Sequence, residues 1–167
     1  KQQPLNPEAR YEALVIPDVQ RACDLLAPLH RDSGGNAGYV SLEVSPALAH
    51  DADGTVAAGL RLKAAVDRPN LLIKVPATVA GLDAIERLIG AGVSVNVTLM
   101  FSLAHCEAVA EAYLRGLQRL QAAGGDVSTV MSVASLFLSR VDALVDKLLE
   151  EGGGELLAMR GATAVAM

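Results

Sequence analysis

Hydrophobic and polar positions along this chain show two kinds of periodicity, one typical of strands and one typical of helices, and segments of the two kinds alternate. Short runs rich in β-branched residues, bounded by Gly or Pro, predict strands at residues 39–44, 70–75, 94–99 and 130–135. Longer stretches with apolar residues at helical spacing predict helices at residues 53–66, 81–92, 102–125 and 137–154. Residues 6–29 are also helix-like, and we expect Pro17 to divide them into two helices. Strands that alternate with helices indicate a parallel sheet, so the predicted fold class is α/β.

Two parallel-sheet architectures are compatible with this order. A doubly wound sheet usually carries a glycine-rich nucleotide-binding turn after a strand, but neither G-x-G-x-x-G nor G-x-x-x-x-G-K-[ST] occurs in the sequence. A (β/α) barrel instead turns one face of each strand to the helices and the other to the barrel interior, where catalytic groups gather. The phase of the polar residues along each strand therefore decides between them.

Polar residues share one phase on three of the predicted strands. The apolar phase, expected to face the helices, comprises Val40, Leu42, Val44, Leu71, Ile73, Val75, Val93, Val95, Val97 and Leu99. The opposite phase carries Ser41, Glu43, Lys74, Ser94, Asn96 and Thr98. Fully buried parallel strands are usually apolar on both faces, so this pattern favours a barrel with a polar interior. On residues 130–135 the phase is ambiguous, because Ser132 and Ser135 cannot share a face of a regular strand.

Lys74 is the residue with the most distinctive chemistry in this arrangement. Neighbouring strands lie about 4.8 Å apart, so Glu43 on one side and Asn96 or Thr98 on the other are within its reach. A lysine amine in an apolar pocket is favoured in its neutral form, which adds to carbonyls and forms a Schiff base. A carboxylate in direct contact would oppose this, so we expect Glu43 to act as an acid/base group through a water that Thr98 helps to hold. A structural Lys–Glu ion pair is the competing interpretation.

Composition narrows the classes of partner and site. A chain of 167 residues, 51% hydrophobic and 20% charged, predicts one globular domain over residues 1–167. A net charge of −5 without a basic stripe argues against nucleic acid and anionic membrane as partners. No apolar run approaches the roughly 18 residues of a membrane span and the first residues show no signal-peptide pattern, so we expect a cytoplasmic protein. Cys23 and Cys106 are predicted to be free thiols, and the three scattered histidines predict no metal site.

Four stretches of sequence carry a family resemblance. VSLEVSP, RPNLLIKVPAT, GVSVNVTLMFS and SVASLFLSRVD occur in this order and resemble the transaldolase family, from about Tyr11 to at least Leu149. The resemblance implies a (β/α)8 TIM-barrel enzyme of the pentose phosphate pathway that needs no metal or organic cofactor. Its substrates would be sugar phosphates: a dihydroxyacetone unit would pass from sedoheptulose 7-phosphate to glyceraldehyde 3-phosphate.

The same resemblance implies roles for individual residues. The implied catalytic residues are Lys74 as the Schiff-base lysine, Glu43 as the acid/base partner of a catalytic water, and Thr98 as the residue that holds this water. The implied substrate ligands are Asn96 for a hydroxyl, Ser135 for the hydroxymethyl end, and Arg140 for the phosphate. A phosphate role suits the fixed donor fork of arginine.

Parts of the family pattern are missing from this chain. The Asp-bearing first strand and a Thr-x-Asn-Pro-type turn do not appear upstream of Tyr11, and a whole barrel needs about 250 residues. The four units resemble the third to sixth βα units, and residues 155–167 resemble the run into the seventh strand. We therefore expect a central fragment with two open sheet edges that neither closes a barrel nor has normal activity, unless it pairs with another copy or a missing half. An oligomer is compatible with this expectation.

Two other functions stay open at this point. A related Schiff-base aldolase would cleave fructose 6-phosphate without a separate acceptor. A non-catalytic α/β fragment or scaffold would keep Lys74 and Glu43 only as charges that neutralise each other.

Overall fold

The computed structural model describes residues 6–163, in which helices and strands alternate as predicted. Residues 1–5 and 164–167, including the end of the run that resembles a seventh strand, lie outside the described residues. The helices are α1 (Pro7–Asp32), α2 (Ala52–Val66), α3 (Val79–Gly90), α4 (Leu103–Ala122) and α5 (Leu138–Gly152). The strands are β1 (Val40–Glu43), β2 (Leu71–Pro76), β3 (Val95–Met100) and β4 (Ser132–Leu136). Short 3-10 helices span Pro46–Leu48, Val127–Thr129 and Gly154–Met159.

The four strands form one parallel sheet in the order β1-β2-β3-β4, which confirms the α/β class. Each strand pairs with the next in sequence, and a helix connects them. A doubly wound sheet would show a reversal of strand order, and the sheet of residues 6–163 has none. Sequential pairing of parallel strands with a helix between each pair is the connectivity of a (β/α) barrel.

One face of this sheet packs against the helices. Apart from Met100, its buried side chains belong to the apolar phase expected from the sequence, and they form a single cluster with residues of α2, α3 and α4. The strand members of the cluster are Leu42, Val44, Leu71, Ile73, Val75, Val95, Val97 and Met100, and the helix members include Leu62, Val66, Ile85, Leu88 and Val109. The polar phase therefore lies on the opposite face of the sheet.

The expected face assignment fails at the end of β3. Leu99 was expected beside Val97 in the helix-packed face, but it is 37% exposed and Met100 is buried there instead. Leu99 has a φ of 63°, and the pairing of β3 with β4 shifts register between Val97 and Met100. This irregularity inserts one extra residue into the strand, which moves Met100 into the core.

The expected division of the first helical region at Pro17 is also wrong. α1 continues from Pro7 to Asp32 with Pro17 inside it. Pro17 lies on the exposed side of the helix, where water can serve the carbonyl that loses its intrahelical partner. On the other side of α1, Val15, Ile16 and Val19 pack against the core cluster, and this packing outweighs the local cost of the proline.

Helix starts agree closely with the sequence signals. Ser102, predicted to cap α4, accepts a hydrogen bond from the backbone N–H of His105 at 3.2 Å. Thr78 caps α3 in the same way through the N–H of Gly81, which starts this helix earlier than expected. Each cap satisfies a backbone donor that has no partner within the helix.

The sheet is open at both ends in the described part of the chain. Within residues 6–163, β1 and β4 each pair with a strand on one side only, as expected for four units of a larger barrel. α5 follows β4 but buries none of its own residues, and Leu144 and Leu148 on it are more than half exposed. The well-packed part of the molecule is therefore β1 to β3 with α2 to α4.

Replacement of a core side chain should separate this core from the surface. Ile85→Ala should lower the free energy of unfolding by about 2–5 kcal/mol, because Ile85 is fully buried between α3 and the sheet. Val79→Ala, on the same helix but 89% exposed, should change it by less than about 0.5 kcal/mol. Urea denaturation followed by circular dichroism measures both values, and equal effects would contradict this packing.

Candidate active site

Three of the predicted site residues form one rung across the sheet. In the observed register Glu43 of β1 aligns with Lys74 of β2, and Lys74 aligns with Asn96 of β3. Val133 of β4 continues the rung. All four belong to the phase that faces away from the helices, so the alternation of the sequence places these side chains together.

Lys74 and Glu43 are in direct contact. The Nζ atom of Lys74 lies 3.3 Å from Oε2 of Glu43, with 30% of the lysine side chain and 50% of the glutamate side chain exposed. An ion pair of such exposure contributes only about 0–1 kcal/mol to stability. Direct contact is the arrangement expected for a structural ion pair. Because such a pair stabilises the fold so little, stability alone does not account for two charged residues on this face.

Asn96 bridges the outer strands of the sheet. Its Nδ2 donates a hydrogen bond to Oγ of Ser41 on β1 at 3.0 Å, and its Oδ1 accepts one from Oγ of Ser135 on β4 at 2.9 Å. These two bonds fix the orientation of the amide and leave one N–H and one lone pair of Asn96 for another partner. They also resolve the phase of β4, because Ser135 lies on the same face as Asn96.

Ser41 is a residue of this face for which the sequence predicted no role. It shares the phase of Glu43, and this position was the only sign of it in the sequence. Its contact with Asn96 crosses β2, since Ser41 is in register with Leu72 and Asn96 with Lys74. A contact across an intervening strand depends on the curvature of the sheet, which the sequence pattern does not reveal.

Thr98 lies two residues beyond Asn96, in register with Pro76. It is 1% exposed, and its hydroxyl oxygen has no hydrogen-bond partner among the described residues. A buried hydroxyl without a hydrogen-bond partner is costly, so the Thr98 hydroxyl does not stabilise the fold by a contact within the described residues. The structure does not bring Thr98 into contact with Glu43.

Arg140 lies apart from the rung, in the first turn of α5. Its guanidinium carbon Cζ is 4.9 Å from the centre of the Phe137 ring, and within residues 6–163 the group makes no hydrogen bond or ion pair. The side chain of Phe137, at the N-cap of α5, makes no capping bond. An uncapped helix start beside a free cation is disfavoured by the helix dipole and suits an anion.

Lys63 is a second lysine with a partly buried amine. Burial lowers the pKa of Lys63, and the nearby Cys23 and Asp67 oppose that change. Its Nζ donates to the carbonyl of Arg68 at 2.6 Å. Lys63 lies in the last turn of α2, at the N-terminal end of β2, whereas catalytic groups of parallel barrels lie at the C-terminal ends of strands.

Three other features of residues 6–163 concern metal ligands, cysteines and membrane-spanning helices. Among the described residues no three His, Cys, Asp or Glu side chains lie close enough to hold a metal ion. Cys23 and Cys106 are both free, as predicted. No helix between residues 6 and 163 has the length and apolar character required to cross a membrane.

Comparison with known proteins gives consistent matches. The family model described as Transaldolase/Fructose-6-phosphate aldolase matches residues 1–167. Curated relatives include proteins named transaldolase from Thiobacillus denitrificans, 58% identical over 161 residues, and from Neisseria gonorrhoeae, 47% identical over 167 residues. A third, from Mycolicibacterium smegmatis, is 51% identical over 160 residues. The matches cover 96%, 100% and 95% of this chain but 45%, 46% and 43% of the relatives, so the chain spans about half their length.

The buried hydroxyl of Thr98 leads to a stability prediction. Thr98→Val should raise the free energy of unfolding by about 1 kcal/mol, because it removes a buried hydroxyl that has no protein partner. Thr55→Val is the matched control: Thr55 is 2% exposed, but its Oγ1 donates to the carbonyl of Leu48 at 3.0 Å. That change should lower the free energy of unfolding by about 1 kcal/mol. Chemical denaturation measures both, and a destabilised Thr98→Val would show that a bound water already satisfies the Thr98 hydroxyl in residues 1–167.

Proposed function

Since the chain belongs to the transaldolase/fructose-6-phosphate aldolase family, we propose that it forms the central part of a transaldolase in which Lys74 is the nucleophile. Membership of this family agrees with the predicted (β/α)8 barrel class and with four parallel βα units in sequence order. The observation that carries the proposal is the rung of Glu43, Lys74 and Asn96 on the face opposite the helices. A lysine, a carboxylate and an amide on one polar face provide a nucleophile, a proton carrier and a hydroxyl ligand.

The first step is formation of the Schiff base. The carbonyl group of the ketose phosphate approaches Nζ of Lys74 and displaces the Glu43 carboxylate, which takes the ammonium proton. The neutral amine then attacks the carbonyl carbon, and the carbonyl oxygen leaves as water after it has received protons, giving a protonated imine. Glu43 is within reach for these transfers, since its carboxylate already touches the amine at 3.3 Å.

The second step breaks a carbon–carbon bond. The hydroxyl on C4 loses its proton, the C3–C4 bond breaks, and its electron pair moves into the imine to form an enamine. The C4 fragment leaves as an aldehyde, which is erythrose 4-phosphate when sedoheptulose 7-phosphate is the donor. The enamine then attacks glyceraldehyde 3-phosphate, whose oxygen gains a proton, and hydrolysis of the imine releases fructose 6-phosphate and restores Lys74.

The remaining site residues bind and orient the sugar in this proposal. Asn96 uses its free N–H or lone pair for a substrate hydroxyl, while Ser135 contacts the hydroxymethyl end. Thr98 supplies its unpartnered hydroxyl to a water that relays protons to and from Glu43. Arg140, which stacks on Phe137 but makes no hydrogen bond or ion pair among residues 6–163, binds the phosphate group through its donor fork.

The reaction belongs to the pentose phosphate pathway, takes place in the cytoplasm, acts on sugar phosphates and uses neither a metal nor an organic cofactor. The group that accepts the C4 hydroxyl proton would be the Asp of the family's first strand, which no residue upstream of Tyr11 supplies. The four βα units of residues 6–163 leave the sheet open, so in this proposal they are part of a barrel domain and are not expected to have normal transaldolase activity alone.

A fructose-6-phosphate aldolase is the second candidate, because the matching family model includes both activities. Such an enzyme would use the same rung and the same Schiff base. Its enamine would be protonated and the imine hydrolysed to free dihydroxyacetone, without attack on an acceptor aldehyde. A non-catalytic role for Lys74 and Glu43 is the third interpretation, and their direct contact is the observation in its favour.

Covalent capture at Lys74 tests the Schiff base. We define the hybrid barrel as the Thiobacillus denitrificans transaldolase with its matched segment replaced by this sequence, so that the site has a complete barrel around it. Incubation with fructose 6-phosphate and sodium borohydride, followed by peptide mass spectrometry, should place the reduced adduct on Lys74 and leave Lys63 unmodified. Lys74→Arg should abolish capture. A folded hybrid barrel with unmodified Lys74 would contradict the proposal.

An acceptor experiment separates transfer from cleavage. With fructose 6-phosphate alone, the hybrid barrel should release little free dihydroxyacetone, because the enamine stays bound to Lys74 until an acceptor aldehyde reacts with it. Addition of erythrose 4-phosphate should yield sedoheptulose 7-phosphate and glyceraldehyde 3-phosphate, measured by chromatography and a coupled assay. Rapid accumulation of dihydroxyacetone without an acceptor would favour the aldolase instead.

A further inference from the structure

Two aromatic rings and a guanidinium group form a stacked series at the C-terminal ends of β3 and β4. The rings of Phe101 and Phe137 lie 5.6 Å apart between centroids with an interplanar angle of 20°. The guanidinium of Arg140 lies over the Phe137 ring at 4.9 Å. We name Phe101, Phe137 and Arg140 the aromatic–arginine stack.

The stack is outside the hydrophobic core. Neither Phe101 nor Phe137 belongs to the core cluster of buried residues, and Phe101 is 38% exposed. An exposed ring such as that of Phe101 lowers solubility and adds little stability, so its stacking on the half-buried Phe137 suggests a role other than core packing. The backbone fixes both: the N–H of Phe137 donates to the carbonyl of Met100 at 3.3 Å, and the N–H of Phe101 lies 3.4 Å from Nδ1 of His105.

Contact with a ring face limits where the guanidinium can lie. An arginine side chain has many rotamers, and no hydrogen bond or ion pair within residues 6–163 restricts this one. A guanidinium over a ring is attracted by the ring quadrupole and keeps the N–H donors on its edges free. Those edges are the ones that bind a phosphate with two parallel hydrogen bonds.

We propose that Phe101 is a positioning residue that orients Arg140 through Phe137 and so makes the site selective for phosphorylated substrates. This inference rests on the proposed phosphate role of Arg140. Phe101 itself touches neither the reacting carbons nor the phosphate. It holds the Phe137 ring, and the ring holds the guanidinium in the plane in which it meets the phosphate oxygens.

A substrate pair distinguishes this role from ordinary packing. Fructose 6-phosphate carries a phosphate, whereas dihydroxyacetone offers Lys74 a carbonyl without one. The concentration that gives half-maximal borohydride capture at Lys74 of the hybrid barrel measures the binding of each. Loss of packing would weaken both substrates equally, but loss of arginine orientation would weaken fructose 6-phosphate alone.

Phe101→Leu should raise the half-saturating concentration of fructose 6-phosphate about two- to fivefold, the size expected for loss of one stacking contact, and leave that of dihydroxyacetone unchanged. Phe101→Tyr keeps the ring and should restore the original value. Leu103→Ala, a change of an apolar residue that is 78% exposed two positions later, should affect neither substrate. Arg140→Ala should weaken fructose 6-phosphate about tenfold or more, as expected for loss of charged hydrogen bonds.

Each outcome separates this inference from the function on which it rests. If Arg140→Ala weakens fructose 6-phosphate selectively but Phe101→Leu does not, the positioning role is wrong and the proposed function stands. If Phe101→Leu weakens both substrates equally, Phe101 is a packing residue. If Arg140→Ala shows no selectivity, or Lys74 captures neither substrate, the proposed function fails and the inference fails with it.

Discussion

Burial of one sheet face against α2, α3 and α4 is the constraint on which the other features depend. Side chains of a strand alternate between faces, so once Ile73, Val75 and Val95 enter the helix-packed core, Lys74 and Asn96 must point the opposite way. A slip of one residue in β1 or β2 would place Glu43 or Lys74 in the apolar layer and turn core residues away from the helices. Burial of the core therefore puts Glu43, Lys74 and Asn96 on one face of the sheet, and the register between the strands aligns them in one rung.

This origin explains which parts of the site the sequence could predict. Glu43, Lys74 and Asn96 follow from period-two alternation, which holds wherever a strand is regular. Ser135 does not, because Ser132 and Ser135 differ in phase, and it is the register of β4 and the hydrogen bond to Asn96 that put Ser135 on the polar face. The resemblance to a family, rather than any pattern of polarity, pointed to Arg140, since a residue in the first turn of a helix has no strand phase.

The structure differs from the sequence-based predictions at Pro17 and at Leu99, where the tertiary structure overrides a local preference. Pro17 should end a helix by its local chemistry, yet the apolar side of α1 packs on the core and its exposed side tolerates the lost bond. Leu99 should follow the alternation of β3, but its positive φ is unusual for a residue with a bulky side chain and no sequence feature announces it. The irregularity puts Met100 in the core and brings Phe101 to the strand end, where it stacks on Phe137.

Solvent exposure of the polar face limits what the rung can do in residues 6–163. Water favours the charged form of an amine, and a nucleophilic lysine requires its exclusion. Lys74 and Glu43 retain 30% and 50% of their side-chain exposure, and β1 and β4 leave the sheet open at both edges within the described range. The register supplies the positions of the reacting groups, while the dry surroundings that would make the amine reactive require a cover over this face. Two different parts of the structure therefore set up the site. Packing of the sheet against the helices positions the reacting groups, and a cover over the polar face would exclude water from them.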